Sequence, residues 1–246
     1  MRFSVVIPMK NEAGNAAPLI AEVEAACTAI GPFELIVVDD GSTDGTRQRL
    51  LDLAETRPWM RVLGHNSSGG QSAAVHSGVR VAQAEIVCTL DGDGQNPPDQ
   101  LPGLLAPLLA PDAPPLLGLV AGQRTGRKDT LSKKLASRAA NQIRSAILRD
   151  ATRDTGCGLK AFRRDAFLAL PYFNHMHRYL PALFARDGWA IAHVDVTHRP
   201  RGAGISNYTN LQRGLVGLYD LIGVAWLLKR RKTATAFELP KEWAAK

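Results

Sequence analysis

The sequence predicts an α/β protein in which helices cover both faces of a mostly parallel sheet. Short β-rich apolar runs alternate along the chain with segments of helical spacing, and pairs of acidic residues stand at the ends of two runs. The composition, 45% hydrophobic and 22% charged over 246 residues, is that of an ordered protein with a sizeable core. We therefore expect one main domain with an appended segment.

Each predicted strand is a short run of apolar and β-branched residues, and helical spacing fills the intervals between the runs. The strands are predicted at 3–8, 33–40, 61–65, 85–91 and 117–124. The helices are indicated by Leu19, Ile20, Val23 and Cys27, by Leu50, Leu51 and Ala54, and by the ranges 69–83 and 131–148.

Acidic residues stand at the ends of the second and fourth predicted strands. Asp39 and Asp40 close the second strand, and Asp91 and Asp93 follow the fourth. Because ligands of open parallel sheets bind beyond the carboxyl ends of the strands, both pairs are expected to face one crevice. Two carboxylates one residue apart repel each other unless a cation lies between them, so the second pair suggests a metal site.

Composition and motifs limit the possible function classes. Neither the G-x-G-x-x-G pattern of dinucleotide-binding folds nor a P-loop occurs where it would be needed. A net charge of +7 suits an anionic partner, which could be nucleic acid, an acidic membrane surface or a phosphorylated substrate. Three widely spaced cysteines and the lack of a signal-peptide pattern favour reduced thiols in a cytosolic protein.

Several motifs, in order, give the chain a resemblance to a known family. They read VVIPMKNE, IVVDDGSTDGT, GGQSAAVHSGV and LDGDGQNPP, followed by AGQR, RDTGCGLKAFRRD and RPRGAGISNY. Together they resemble family 2 glycosyltransferases and, more narrowly, dolichyl- or polyprenyl-phosphate sugar synthases. The resemblance covers roughly residues 3–210 and implies the GT-A fold, a nucleotide-sugar-binding α/β fold.

The resemblance implies roles for individual residues on the donor side. Asp91, Asp93 and Gln95 match the family's metal motif, and their oxygen atoms suit Mg²⁺ or Mn²⁺ bridging the donor diphosphate. The residues implied to bind the nucleotide are Pro8, Asn11, Glu12, Asp39, Asp40 and Gln71. Two alternatives stay open: Asp39 could only orient its loop, and Gln71 could only begin a helix.

On the acceptor side, the resemblance implies phosphate contacts. Arg124 matches a G-x-R motif, and Arg201, Ser206 and Tyr208 match a loop for the donor diphosphate and acceptor phosphate. Asp154 could be a general base or an orienting residue. A lipid monophosphate is already ionised near pH 7 and needs no base, whereas an alcohol would need one, and we favour the phosphate. The implied catalytic residues are Asp91, Asp93, Asp154, Arg124 and Arg201.

The predicted function is that of a metal-dependent, inverting glycosyltransferase. It would move a hexose from GDP-mannose or a UDP-sugar to a polyprenyl phosphate. The alternatives are transfer to a saccharide or lipid hydroxyl, and a nucleotide-sugar-binding protein without catalysis. A nucleic-acid partner would explain the positive charge but not an acidic crevice, and we expect none. A homo-oligomer remains open.

A C-terminal amphipathic helix at residues 210–232 is predicted to follow a catalytic domain at 1–209 and to precede a tail at 233–246. It is too short and too interrupted to span a bilayer comfortably. Packing on the core or in a dimer interface is one possibility. We favour a peripheral helix on the inner face of the cell membrane, with the basic run 229–232 meeting anionic lipid. The residues predicted to be buried along one side are Leu211, Leu215, Leu218, Ile222 and Trp226.

Overall fold

The structure, a computed structural model, describes residues 1–125, 144–148, 152, 154–199, 210–231, 234 and 238. The strands are β1 Phe3–Met9, β2 Phe33–Asp39, β3 Met60–Gly64, β4 Ile86–Thr89, β5 Leu117–Arg124, β6 Lys160–Arg163 and β7 Ala190–Val196. The helices are α1 Ala13–Thr28, α2 Thr46–Glu55, α3 Gln71–Val81, α4 Leu101–Leu109, α5 at 144–148, α6 Arg164–Leu168, α7 Leu180–Arg186 and α8 Asn210–Lys229. Short 3-10 turns lie at Pro98–Gln100 and Met176–Arg178.

The strands form one sheet in the order β3-β2-β1-β4-β6-β5-β7. The predicted mostly parallel sheet is confirmed, and all five predicted strands are present. Strands β6 and β7 were not predicted. β6 runs antiparallel between β4 and β5, with Lys160 opposite Thr89 and Ala121. The start of β6 therefore lies at the same edge of the sheet as the carboxyl ends of its neighbours.

Helices bury both faces of the sheet, which explains why the central strands are continuous apolar runs. One cluster joins the sheet to α1 and α4, and another joins it to α3 and α7. The residues predicted to line α1 and Leu50 of α2 are buried, but Leu51 is exposed. Adjacent residues on a helix point about 100° apart, so Leu50 and Leu51 cannot both face the sheet equally. All three cysteines are buried and none forms a disulfide.

Helix α8 presents to the protein a different side from the one predicted. Leu221 and Val224 are buried, whereas Leu218, Ile222 and Trp226 are exposed, so their predicted burial is wrong. The helix is apolar on both sides, and hydrophobic spacing alone could not show which side packs. The side chains of Leu211 and Leu215, like residues 131–143 of a predicted helix, lie outside the described residues.

Candidate active site

Two loops interlock beyond the ends of β1 and β2. Asn11 has a left-handed backbone with φ 55°, and its side-chain oxygen accepts the Thr43 N–H at 2.9 Å. The Asn11 N–H donates to the Ser42 hydroxyl at 3.0 Å, and the Glu12 N–H donates to Thr46 Oγ1 at 2.8 Å. Asn11 and Glu12, predicted to border a nucleoside pocket beside Pro8, therefore fix the relative position of the two loops.

The carboxylate of Asp40 organises the loop between β3 and α3. It accepts hydrogen bonds from the Gly69 N–H at 2.8 Å, the Gly70 N–H at 2.9 Å and the Ser68 hydroxyl at 2.7 Å, and it lies 2.7 Å from His65 Nδ1. Burial raises the pKa of Asp40, but these hydrogen bonds outweigh it and hold the pKa below its ordinary value. Asp40 is therefore ionised and fully engaged with the chain.

Asp39 is buried and also contacts its own loop. It accepts the Ser42 N–H at 3.2 Å and forms an ion pair with Arg47 at 2.7 Å. These contacts agree with the loop-orienting alternative. Nucleotide contacts of Asp39 and Asp40 stay predictions.

Asp91 lies between polar groups from two neighbouring segments. Gln71, the first residue of α3, donates to it at 2.6 Å, and Asn96 donates at 3.0 Å. A methyl group on Gly158 would come within 2.3 Å of this carboxylate, so only glycine permits such close approach. Burial raises the pKa of Asp91, and the charge of Asp93 raises it further, against a lowering by Lys160.

Asp93 and Gln95 belong to the same loop and are half-buried. The Asp93 carboxylate accepts the Gln95 N–H at 3.1 Å, and the Gln95 carbonyl accepts the Arg199 N–H at 3.0 Å. The Arg199 guanidinium donates to the Gly94 carbonyl and forms an ion pair with Glu22 at 3.0 Å. The segment after β7 therefore supports the acidic loop.

The donor set of this loop fits a divalent cation. Asp91, Asp93 and Gln95 offer oxygen atoms, as Mg²⁺ and Mn²⁺ prefer. The raised pKa of Asp91 reflects burial and repulsion from Asp93, which a bound cation would relieve. In the described part of the chain, no group of three or more His, Cys, Asp or Glu residues is placed to hold a metal.

A cavity of about 540 Å³ opens beside Asp91 at this edge of the sheet. Besides Pro8 and Gln71, its walls include Lys160 of β6 and the turn residues His177 and Arg178. Lys160 is buried and its ammonium donates to the Cys157 carbonyl. Burial lowers the pKa of Lys160, while nearby acids including Asp91 raise it.

His177 joins the cavity to helix α3. Its Nδ1 lies 2.7 Å from the Ser72 hydroxyl, and its backbone N–H donates to the same oxygen at 3.3 Å. Burial lowers the pKa of His177 well below its ordinary value, and the charges of Lys160 and Arg178 lower it further. His177 is therefore neutral and contributes hydrogen bonding without charge.

Arg124 and Asp154, predicted separately, form one pair. The guanidinium donates from Nε at 2.6 Å and from Nη2 at 2.9 Å to the two carboxylate oxygens. The hydrogen bond to Asp154 raises the pKa of Arg124, against a lowering by burial. Asp154 thus orients Arg124. Arg201, Ser206 and Tyr208 lie outside the described residues.

Sequence reasoning missed four residues of this site. Lys160 is a lysine inside a buried strand-like run, a signal that could have been used. His177 lies outside every motif that carried the sequence analysis, and its contact with Ser72 spans 105 positions. Asn96 stands within the quoted LDGDGQNPP motif, five positions after Asp91, but was not assigned a role. Nothing local in the sequence marks Arg178.

Comparison with known sequences identifies the family. The sequence profile described as "Glycosyl transferase family 2" matches residues 4–170. An undecaprenyl-phosphate 4-deoxy-4-formamido-L-arabinose transferase of Pectobacterium carotovorum is 35% identical over 223 residues, 89% of this chain and 66% of that protein. A dodecaprenyl-phosphate galacturonate synthase of Rhizobium johnstonii is 32% identical over 240 residues, 93% of this chain and 68% of that protein. The chain thus spans about two thirds of the length of these relatives.

Solved structures confirm the GT-A fold. Glucosyl-3-phosphoglycerate synthase of Mycobacterium tuberculosis, in complex with Mn²⁺, UDP and phosphoglyceric acid, superposes with a TM-score of 0.67 at 20% identity. That match covers 95% of this chain and 80% of the other. A mannosyltransferase of Pyrobaculum calidifontis, in complex with GDP-Man and Mn²⁺, gives 0.67 at 21% identity, over 95% of this chain and 66% of the other. With its profile, its relatives and its fold in agreement, the chain belongs to glycosyl transferase family 2.

Proposed function

We propose that the chain is an inverting glycosyltransferase that moves a sugar from a nucleoside-diphosphate sugar to a polyprenyl phosphate. The observation that carries the proposal is the cavity at the carboxyl edge of the sheet, whose lining includes Asp91 together with the cationic residues Lys160 and Arg178. Such a cavity suits a reaction between two phosphate-bearing substrates. The polyprenyl-phosphate activities named for the Pectobacterium and Rhizobium relatives support this acceptor class.

The acidic loop would hold a divalent cation through Asp91, Asp93 and Gln95. When bound, Mg²⁺ or Mn²⁺ would stabilise the negative charge of the departing nucleoside diphosphate. Gln71 and Asn96 keep the Asp91 carboxylate oriented by the hydrogen bonds described above. A hexose donor such as GDP-mannose or a UDP-sugar is consistent with this arrangement.

Transfer is a single displacement at the anomeric carbon. An oxygen of the acceptor phosphate forms a bond to that carbon from the face opposite the diphosphate. The bond between the carbon and the diphosphate oxygen breaks, and its electron pair leaves on the nucleoside diphosphate, so the configuration inverts. The phosphate is already ionised near pH 7 and loses no proton in this step. The pairing of Asp154 with Arg124 supports a positioning role for Asp154.

Incubation with a panel of radiolabelled nucleotide sugars and a polyprenyl phosphate tests the proposal. We expect label from one donor to enter an organic-soluble product that mild acid releases. Label in a product resistant to mild acid would support transfer to a hydroxyl instead. Nucleotide-sugar binding without any transfer would support a non-catalytic binding protein.

The same assay on the Asp93→Asn variant tests the proposed metal site. We expect transfer to fall about 100-fold or more, because loss of electrostatic stabilisation at a leaving group typically costs this much. Asp99→Asn, a change of the same chemistry at an exposed acid on the neighbouring turn, should leave transfer unchanged. Chelation by EDTA should reproduce the Asp93→Asn loss and added Mg²⁺ or Mn²⁺ should reverse it. Full turnover of Asp93→Asn in chelator would contradict the metal assignment.

We also propose that α8 lies on the surface of the membrane that holds the acceptor. Among the described residues, no helix has the length and apolarity to cross a bilayer. The outward side of α8 nevertheless carries large apolar residues, including Tyr219, Ile222 and Trp226, and exposed basic residues follow at 229–231. Apolar and basic groups together suit the interface of a bilayer containing anionic lipid, which fits peripheral attachment to the inner face of the cell membrane.

A further inference from the structure

The lining of the cavity includes two cationic side chains from different elements. Lys160 comes from the start of β6 and is 3% exposed, and Arg178 is half-buried at the end of the 176–178 turn. Both line the cavity that Asp91 also lines. The neutral His177 lies beside them and adds no charge. Two cationic side chains and one carboxylate thus line the same cavity.

The bonding of Lys160 leaves part of its ammonium group unused. An ammonium has three donors, and one goes to the Cys157 carbonyl. Within the described part of the chain, Lys160 makes no hydrogen bond to Asp91, whose oxygens accept from Gln71 and Asn96 instead. Lys160 thus contributes positive charge to the cavity and keeps hydrogen-bond donors that its contacts among the described residues do not use.

Arg178 contrasts with Arg124, one of the two arginines implicated by the sequence. The Arg124 guanidinium makes two hydrogen bonds to Asp154. Over the ranges that the structure describes, the Arg178 guanidinium has no hydrogen-bond or ion-pair partner. A partly desolvated guanidinium is stabilised by an oxyanion that fits its planar fork. An arginine in this condition on a cavity wall suits a ligand that arrives with negative charge.

The backbone around Arg178 is held in place. The His177 N–H and ring contact Ser72 of α3, and the Tyr179 hydroxyl donates to the Gly217 carbonyl of α8 at 3.2 Å. The turn is therefore fixed on both sides of Arg178, although its guanidinium is unpaired. Fixed backbone with an unpaired head group is the arrangement expected of a binding residue.

We propose that Arg178, with Lys160 behind it, forms a subsite for a substrate oxyanion distinct from the nucleotide diphosphate. The inference rests on the proposed function and adds a binding residue to it. Two sources share the required chemistry: the monophosphate of the acceptor lipid, and a carboxylate on the transferred sugar. Both carry oxygen atoms that a guanidinium binds through paired N–H groups.

Steady-state kinetics of Arg178→Gln test the subsite. If the acceptor phosphate binds there, the KM for a short-chain polyprenyl phosphate rises about tenfold to 100-fold while the donor KM stays the same, as expected for one charge-assisted hydrogen-bonding group. If a sugar carboxylate binds there, the preference for a UDP-uronate over the matching UDP-hexose falls by a similar factor. Either result supports the subsite and identifies its source. Changes below twofold in both measurements overturn it.

Two further variants keep the test specific. Arg178→Lys retains the charge and should restore part of the lost affinity. Arg49→Gln, the same change at an exposed arginine of α2, should alter neither measurement. Calorimetric titration of the full chain with the short-chain polyprenyl phosphate and the UDP-uronate adds a readout without turnover. If the unaltered chain transfers sugar and Arg178→Gln has the same kinetics, the subsite is wrong and the proposed reaction stands. If the unaltered chain transfers no sugar but Arg178→Gln loses binding, the proposed reaction is wrong and the subsite stands.

Discussion

Asp40 and Asp91 both lie at the carboxyl ends of strands, yet their surroundings shift their pKa values in opposite directions. For Asp40, burial raises the pKa, but hydrogen bonds from the loop between β3 and α3 lower the pKa by more than burial raises it. For Asp91, burial and the neighbouring Asp93 charge raise the pKa. The ionised form of Asp40 therefore stabilises the fold, whereas the ionised form of Asp91 is disfavoured by its surroundings and would be stabilised by a bound cation.

This difference leads to a prediction for Asp40→Asn. The amide places a donor where the carboxylate accepted N–H and O–H groups, so the free energy of unfolding at pH 7 should fall by about 2 kcal/mol. The pKa of Asp40 in the folded state lies below the unfolded value of about 3.9. The ionised carboxylate therefore stabilises the folded state fully at pH values above about 3.9, and this stabilisation is lost as the pH falls through the folded-state pKa. Urea unfolding at pH 7, 5 and 3.5 should show the variant's deficit narrowing at the lowest pH.

The control is Asp52→Asn on the exposed side of α2, where stability should change by no more than about 0.5 kcal/mol. Equal stability of Asp40→Asn and the unaltered chain at pH 7 would show that the loop does not depend on this carboxylate. The same conclusion would follow from a deficit that stays constant down to pH 3.5.

Single residues of the site were predictable where a motif carried them and not elsewhere. The two acids of the 91–95 loop were recognisable because they follow a strand and lie one residue apart, where their carboxylates would repel each other without a cation. The pairing of Arg124 with Asp154 spans 30 positions, and no local pattern marks it. Arg178 was not predictable, because its proposed role depends on its position at the cavity and on the lack of a partner for its guanidinium among the described residues, and neither can be read from a sequence pattern.

At the scale of elements, prediction succeeded where apolar runs were bounded by clear turns. β1, β2 and β5 are buried along almost their whole length and match the predicted ranges closely. β6 was missed because its four residues, KAFR, include two basic side chains and so do not form the apolar run that marked the equally short β4. β7 was missed because its exposed pattern resembles that of a loop. The packed side of α8 was predicted wrongly since both of its sides are apolar.

A pair of alanine substitutions tests the side of α8 that packs. Val224 is 1% exposed and Ile222 is 64% exposed. Val224→Ala removes two buried methyl groups and should lower the free energy of unfolding by about 2 kcal/mol. Ile222→Ala should change it by no more than about 0.5 kcal/mol, as for other exposed positions. Thermal or urea unfolding of both variants gives the comparison, and a larger loss for Ile222→Ala would restore the original prediction.

On the scale of the whole molecule, α8 and the cavity share a structural connection. His175 lies 2.9 Å from Asp220, and Tyr179 donates to the Gly217 carbonyl, so the turn that carries His177 and Arg178 is attached to the helix. The outward side of α8 is apolar and its end is basic. A membrane-bound α8 would therefore hold one wall of the cavity close to the lipid that carries the acceptor.

This connection predicts that the outward side of α8 matters for an acceptor in a bilayer and not for one in solution. In Ile222→Gln/Trp226→Gln, flotation with liposomes containing anionic lipid should weaken, and transfer to a long-chain polyprenyl phosphate in those liposomes should fall about tenfold. Loss of two partly inserted apolar groups costs about 2 kcal/mol of membrane binding. Transfer to a short-chain phosphate in solution should not change, because these side chains point away from the protein core.

Leu51→Gln/Leu116→Gln is the matched control, since both leucines are large, exposed and remote from α8 in sequence. It should float and turn over like the unaltered chain with either acceptor. Equal loss with both acceptors would mean that the α8 change damages the active site itself. Unchanged flotation together with a loss of self-association would instead assign the apolar side of α8 to a second copy of the chain. High salt should weaken flotation of the unaltered chain, because screening removes the attraction between the basic residues after Leu228 and anionic lipid.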